Sequence, residues 1–176
     1  AARQAGALVL DCTVPTRTKG EVLDFALNQM FHWDKQYDAV CIFDADNLVH
    51  PQFLGRMNDA WQAGARVAQG FRDSKNPTDT AISGCYSIYY WMINRFYSQA
   101  RAALGLNAII NGSGFMVSME ILRAQRGWKS LNFSVLPLFS SKWCSTDKTR
   151  NAVRVKPPRV GIPNSPAHLH VVLDTI

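Results

Sequence analysis

The chain lacks any continuous run of 18 apolar residues, so no segment reads as a membrane-crossing helix. Its four cysteines, Cys12, Cys41, Cys85 and Cys144, never fall at Cys-x-x-Cys spacing, which removes the usual signature of a structural zinc site. Cys41 lies inside an apolar run and reads as a small core residue. Unpaired cysteines and the absence of a visible signal sequence lead to an expected reducing, cytoplasmic setting. Acidic residues become scarce toward the C-terminus. No Glu follows Glu120, and residues 132–176 hold only Asp147 and Asp174 against six Lys and Arg. Most of the net charge of +6 therefore belongs to this tail. Such a tail can attract anionic partners. No Lys/Arg cluster interleaved with aromatics accompanies it, so nucleic acid is not an expected partner. No internal repeat is present.

The composition that remains is globular. Apolar residues make up 47% of 176 positions, enough for one domain with a buried core. Gly6–Leu10 reads as a strand and Asp11–Thr18 as a polar loop. A helix is expected over Lys19–Trp33, with Val22, Leu23, Ala26, Leu27 and Met30 at helical spacing. Tyr37–Ile42 reads as a strand. A second helix starts at Pro51 and runs to Ala63, and Val67–Phe71 is a third strand. Alternating strands and helices predict a parallel sheet with right-handed crossovers. After a polar loop at 72–79, a long helix is expected over Thr80–Leu104. Its Tyr86, Tyr89, Tyr90, Trp91, Phe96 and Tyr97 read as core and flank packing, with a stripe of sugar-stacking rings as the sharper alternative. Asn111-Gly112-Ser113-Gly114-Phe115 is a glycine-rich turn before a strand at Met116–Ser118, and a short helix follows over Met119–Gln125.

The most informative stretch is Phe43-Asp44-Ala45-Asp46-Asn47. A continuous apolar run that stops at polar residues fits a strand buried on both faces. Asp44 and Asp46 then stand at its C-terminal end, the edge where open α/β sheets bind ligands. Two carboxylates one residue apart suit a hard divalent cation, which takes oxygen ligands and neutralises phosphate. After Leu131 the texture changes. Residues 132–176 hold five of the eight prolines and no amphipathic period. His168 and His170 alternate near the end, a pattern more often a solvated surface than a metal site.

Four segments, in order, resemble the nucleotide-sugar-binding core of family 2 glycosyltransferases, the inverting GT-A group that includes cellulose and chitin synthase-like enzymes. They are Lys19-Gly20 with Leu23, Ala26, Leu27 and Asn28; Phe43-Asp44-Ala45-Asp46 with Pro51, Phe53 and Leu54; Val67-Ala68-Gln69-Gly70; and Asn111-Gly112-Ser113-Gly114-Phe115. The resemblance covers residues 1–131 as a partial GT-A, Rossmann-like core and leaves 132–176 as a basic, atypical and irregular tail. It implies a role in polysaccharide biosynthesis, with a UDP-sugar donor and a glycan or lipid acceptor. It implies Asp46 as direct metal ligand, Asp44 beside the nucleotide, and Lys19 nearby. It implies that Gly112, Ser113 and Gly114 let the backbone approach sugar and acceptor. Relatives sit at the cytoplasmic face of membranes.

The chain departs from that pattern in three places. The opening Pro-x-Tyr-Asn-Glu strand is absent. Gly127-Trp128-Lys129-Ser130-Leu131 is followed by Asn132-Phe133-Ser134 where the family carries Thr-Glu-Asp, its catalytic base. The Gln-x-x-Arg-Trp motif and the membrane helices are also missing. The break reads as a changed frame or an unrelated C-terminal segment, and the chain as an inactive fragment. Two other readings are a nucleotide-binding remnant and a haloacid dehalogenase-type phosphohydrolase. The latter wants Gly-Thr after the second Asp, where Asn47-Leu48 stands.

Overall fold

The computed structural model describes residues 3–106 and 109–128, together with the backbone of 141–144 and 169–174. The elements follow in the order α1 (Lys19–Phe31), β1 (Ala39–Asp44), α2 (Phe53–Gln62), β2 (Val67–Gly70), α3 (Ala81–Met92), α4 (Ala100–Ala103), β3 (Phe115–Ser118), α5 (Met119–Ala124), β4 (Ser141–Cys144) and β5 (Leu169–Asp174). A π-helical segment, Ile93–Gln99, joins α3 to α4 into one arm.

The apolar run before the two aspartates forms β1, buried from Ala39 to Phe43. Strand side chains alternate between faces, and β1 feeds a different layer on each. Val40 and Ile42 meet Leu23, Leu27 and Met30 of α1 and Met119, Ile121 and Leu122 of α5. Ala39, Cys41 and Phe43 meet Phe53, Met57 and Ala60 of α2. The sheet is thus sandwiched between α1 and α5 on one side and α2 on the other. Each fully buried Leu, Met or Phe contributes about 1.5–3 kcal/mol.

The sheet order is β4-β2-β3-β1-β5. β3 is antiparallel to β1, with Ile42 opposite Phe115, and to β2, with Gln69 opposite Phe115. β1 and β2 therefore run the same way but never touch. The expected parallel sheet is corrected at its centre, where β3 returns between them. Burial on both faces marks Phe115–Ser118 as a central strand, but a hydrophobic pattern carries no direction. In the tail, β4 adds parallel to β2 and β5 parallel to β1.

Two other expectations change. Gly6–Leu10 is not a strand, and Leu8 is 68% exposed. Among the described residues this segment pairs with no strand of the sheet, whose outer strands are β4 and β5. The helical arm is turned outward. Its buried residues are Ser87, Asn94 and Ser98, while Tyr86, Tyr89, Trp91, Phe96 and Tyr97 are exposed, Phe96 by 73%. Helical spacing locates an apolar stripe but not the side that faces the body. Here a polar anchor decides, since the Asn94 side chain donates to the Arg72 carbonyl at 2.6 Å.

Burial pushes the Cys41 thiol up to about 12 by desolvating its charged form. The thiolate is the reactive species. Cys12 and Cys85 are exposed. With a maleimide at pH 8, peptide mass spectrometry should find label on Cys12 and Cys85 within minutes. Cys41 should label only after denaturant is added, and native-state labelling of Cys41 would contradict this core.

Candidate functional site

β1 and β2 end, and the antiparallel β3 begins, on one edge of the sheet. The glycine-rich turn sits there. Gly112 and Gly114 have φ of 73° and 65°, the left-handed region that favours glycine. At Gly112 nothing lies within 4 Å of where a Cβ would be, so its requirement is conformational and not spatial. Gly114 ties both neighbouring strands: its N–H donates to the Ile42 carbonyl and its carbonyl accepts from the Gly70 N–H, each at 2.8 Å. Ser113 is buried. Its hydroxyl accepts from the Asp44 N–H at 3.0 Å and donates to the Asn47 side chain.

Gln69, fully buried on β2, holds the same turn from the other side. Its Oε1 accepts from the Asn111 N–H at 2.8 Å. Its Nε2 lies 3.0, 3.0 and 3.1 Å from the carbonyls of Gly70, Ser113 and Gly114. One amide thus satisfies both ends of the turn, where buried backbone groups would otherwise be orphaned.

Lys19 arrives from α1. Thr18 caps that helix by accepting from the Glu21 N–H, and the Glu21 carboxylate accepts in return from the Thr18 N–H. This fixes Lys19 at the first helical position. Its ammonium pairs with the Asp44 carboxylate and donates to the Gly112 carbonyl at 3.3 Å. Asp46 is exposed one step further out, where its carboxylate accepts from the Asn47 side chain at 3.0 Å and its carbonyl from Lys75 at 3.2 Å. All six residues singled out from sequence, Lys19, Asp44, Asp46, Gly112, Ser113 and Gly114, meet at this edge.

Asp44, Asp46, Ser113 and Gly114 line a cavity of about 900 Å³ whose far wall carries Arg72, Asp73, Tyr90 and Trp91. Arg72 lies over the Tyr90 ring at 4.9 Å and donates to the Asn111 carbonyl at 2.8 Å. Asp73 accepts from the Trp91 indole N–H at 2.8 Å and from the Ser74 N–H at 2.7 Å. Among the described residues no three His, Cys, Asp or Glu side chains converge as a metal cage. Asp44 and Asp46 both line the cavity, and a cation of the Mg²⁺ type takes one or two carboxylates and completes its shell from phosphate and water.

Sequence reasoning missed Gln69 as a clamp. The available signal was an amide inside a four-residue strand buried throughout, since a buried polar group is the informative one. It also missed Asp174. In β5 this residue stands level with Asp44 in the parallel register, at the same sheet edge. Val171-Val172-Leu173 followed by Asp174 is a shorter version of the pattern of an apolar run ending in Asp. Gly127 and Trp128 fold back onto α1: the Trp128 N–H donates to the Asp24 carboxylate at 2.6 Å, and Trp128 packs on Phe115 at 6.0 Å. A Cβ at Gly127, whose φ is 105°, would collide with that carboxylate. Lys129–Ser134, Asp147 and His168 lie outside the described residues.

The edge should be sensitive to changes that leave the cavity lining intact. A Cβ at Gly70 would sit 2.6 Å from Phe53 Cε2 and 2.9 Å from the Gly114 carbonyl oxygen. Gly70→Ala is expected to cost about 1–3 kcal/mol through overpacking. Gln69→Leu should cost roughly 2–4 kcal/mol, because the Asn111 N–H and the Ser113 carbonyl lose the partner that Gln69 gives them, while the Gly114 carbonyl keeps the Gly70 N–H. Urea unfolding would check both, and a Gln69→Leu midpoint equal to wild type would remove the clamp.

In comparison with known proteins, no curated protein and no solved structure matches. The profile of the glycosyltransferase-like family 2 matches residues 2–136, a span that contains every element from α1 to α5 and the whole turn-and-aspartate edge. The chain belongs to the glycosyltransferase-like family 2.

Proposed function

We propose that the strand edge binds the diphosphate of a UDP-sugar, and that the domain is built to transfer the sugar with inversion to a glycan or lipid acceptor. The observation that carries this reading is that Asp44 and Asp46 line one cavity with Ser113 and Gly114 while Lys19 bridges Asp44 to the Gly112 carbonyl behind it, in a chain of this family. The cellulose and chitin synthase-like branch, with a place at the cytoplasmic face of a membrane, is the finer form of the proposal. No helix among the described residues is long and apolar enough to cross a membrane. The phosphohydrolase alternative is not favoured, since the family match carries no support for it.

The residues divide the work. Asp46, which lines the cavity, would hold Mg²⁺ or Mn²⁺ together with the donor's phosphates. A bound divalent cation stabilises the charge that builds on the departing diphosphate. Asp44 is engaged by Lys19, so its role is to hold that ammonium at the mouth of the turn. Lys19 in turn fixes Gly112 and offers a positive charge beside the leaving group.

An inverting transfer also needs a base that takes the acceptor's proton, worth roughly 10²–10⁴-fold in rate. Glu120 is exposed in the first turn of α5, where a carboxylate favours the helix dipole. The family's Thr-Glu-Asp does not occur in this chain. We therefore propose nucleotide binding without efficient transfer.

Calorimetry with UDP and Mn²⁺ tests the donor half. Asp46→Ala should weaken binding at least tenfold, about 1.4 kcal/mol, and equal heats for both proteins would remove Asp46 from the metal site. Transfer from UDP-glucose or UDP-N-acetylglucosamine should stay below detection. Measured transfer that disappears in Asp174→Asn would instead assign the base to the tail and overturn the inactive reading.

A further inference from the structure

We infer that the outward face of the helical arm is a docking surface for a lipid bilayer with anionic headgroups, on which the arm lies without crossing. This inference does not need the donor reading of the Asp44–Asp46 edge. Ile82, Tyr86, Tyr89, Met92 and Phe96 follow one another at intervals of three or four residues, the spacing of one helix face. All five are exposed, Ile82 by 71%. The side turned to the body is polar, with Ser87, Asn94 and Ser98 buried. A surface helix of a globular domain is usually laid the other way, apolar side in and polar side out. The inversion is held in place: the Asn94 side chain donates to the Arg72 carbonyl, and the Trp91 indole to the Asp73 carboxylate. The arm cannot roll its apolar face inward without breaking both bonds.

The charge around this face selects what covers it. From Thr80 to Met119 the chain has two arginines, Arg95 and Arg101, and no Asp or Glu. Arg95 is exposed, next to Phe96. The Arg101 guanidinium lies over the Tyr97 ring at 5.2 Å, so its charge stays beside an exposed aromatic. The carboxylates that precede the arm, Asp73 and Asp79, accept from the Trp91 indole and from the Asn76 amide at 2.8 Å each. An apolar stripe accompanied by cations alone complements a surface that is hydrocarbon within and negative at its boundary, which describes anionic lipid. Tyrosine suits that boundary, since its ring enters the apolar layer while its hydroxyl stays with the headgroups. A second copy apposed through the same face would bring cations to cations, with no carboxylate from either arm between them.

The arm lies on such a surface and does not span it. No helix among the described residues is long and apolar enough to cross a membrane, and the polar side of the arm is committed to the protein body. Tyr90 and Trp91 of the same arm line the cavity, so docking holds the strand edge close to the bilayer. Residues 132–176 are also basic, and anionic lipid attracts any basic segment. The arm is distinguished from that tail by its apolar stripe.

The test sediments the full chain with phosphatidylcholine vesicles and with vesicles that also contain phosphatidylserine, at low and at high salt. The chain should bind the phosphatidylserine vesicles, and less so as salt rises. Tyr89→Ser combined with Phe96→Ser, both at exposed positions, should weaken that binding at least tenfold by removing apolar contact. Arg95→Gln should weaken it about fivefold, the worth of one cation near an anionic surface. Both variants should keep the UDP and Mn²⁺ affinity of the unaltered chain within twofold. Vesicle binding without UDP binding would remove the donor reading and leave the docking face standing. Failure to bind phosphatidylserine vesicles would overturn the inference, as would binding that neither variant weakens, which would assign it to the basic tail. Gel filtration supplies the last outcome: a dimer that Phe96→Ser splits, with no vesicle binding, would give the face to a second copy instead.

Discussion

The site depends on one buried amide. Gln69 has no contact with solvent, yet it satisfies the Asn111 N–H and the carbonyls of Ser113 and Gly114 across the strand edge. A turn with two left-handed glycines has little stiffness of its own. Gln69 on β2, Ser113 against β1 and Lys19 on α1 convert it into a fixed surface. Hydrogen bonds in a low-dielectric interior reinforce one another, and an unpaired group there is costly. Geometry at the cavity mouth is therefore set by the body of the sheet and not by the loop.

The two aspartates have different fates although one residue separates them. Asp44 still belongs to β1: its N–H is held by Ser113 and its carboxylate by Lys19. Asp46 lies beyond the strand, exposed and, among the described residues, tied through Asn47 and Lys75. Strand alternation puts both on one face, but the end of the ladder separates an anchored carboxylate from one available to ligand. The same ladder logic places Asp174 beside Asp44, since a parallel neighbour in register shares the strand's last position.

The layers and the site were legible from sequence to different degrees. Buried strands β1 and β2, helix α1 and the glycine turn follow from periodicity and from residues with special backbone needs. The meeting of Lys19 with Asp44 came only through a family resemblance, because nothing local says that residues 19 and 44 are close. Direction was not legible: Phe115–Ser118 reads the same whether it runs with or against its neighbours. Gly6–Leu10 has strand-forming residues, but a strand is a pairing, and a pairing partner is not written in the strand itself. The arm's rings show the same limit, since a stripe at helical spacing does not say which way is in. The small polar residues between them, Ser87, Asn94 and Ser98, held that information and are easy to discount.

The chain leaves the sheet at Gly70, is tied back to β2 at Asn111 and re-enters the sheet at Phe115. Between those points lies everything that forms the cavity's far wall. The two feet are knotted together by Gln69 and Arg72 through the Asn111 backbone. What hangs from such a knot is a lariat. The entropy of closing a lariat grows only with the logarithm of its length, about 0.6 kcal/mol for each doubling. Its length and its rings can therefore drift while Asp44 stays held by Ser113 and Lys19, and Lys75, inside the lariat, is where such drift would reach the Asp46 backbone.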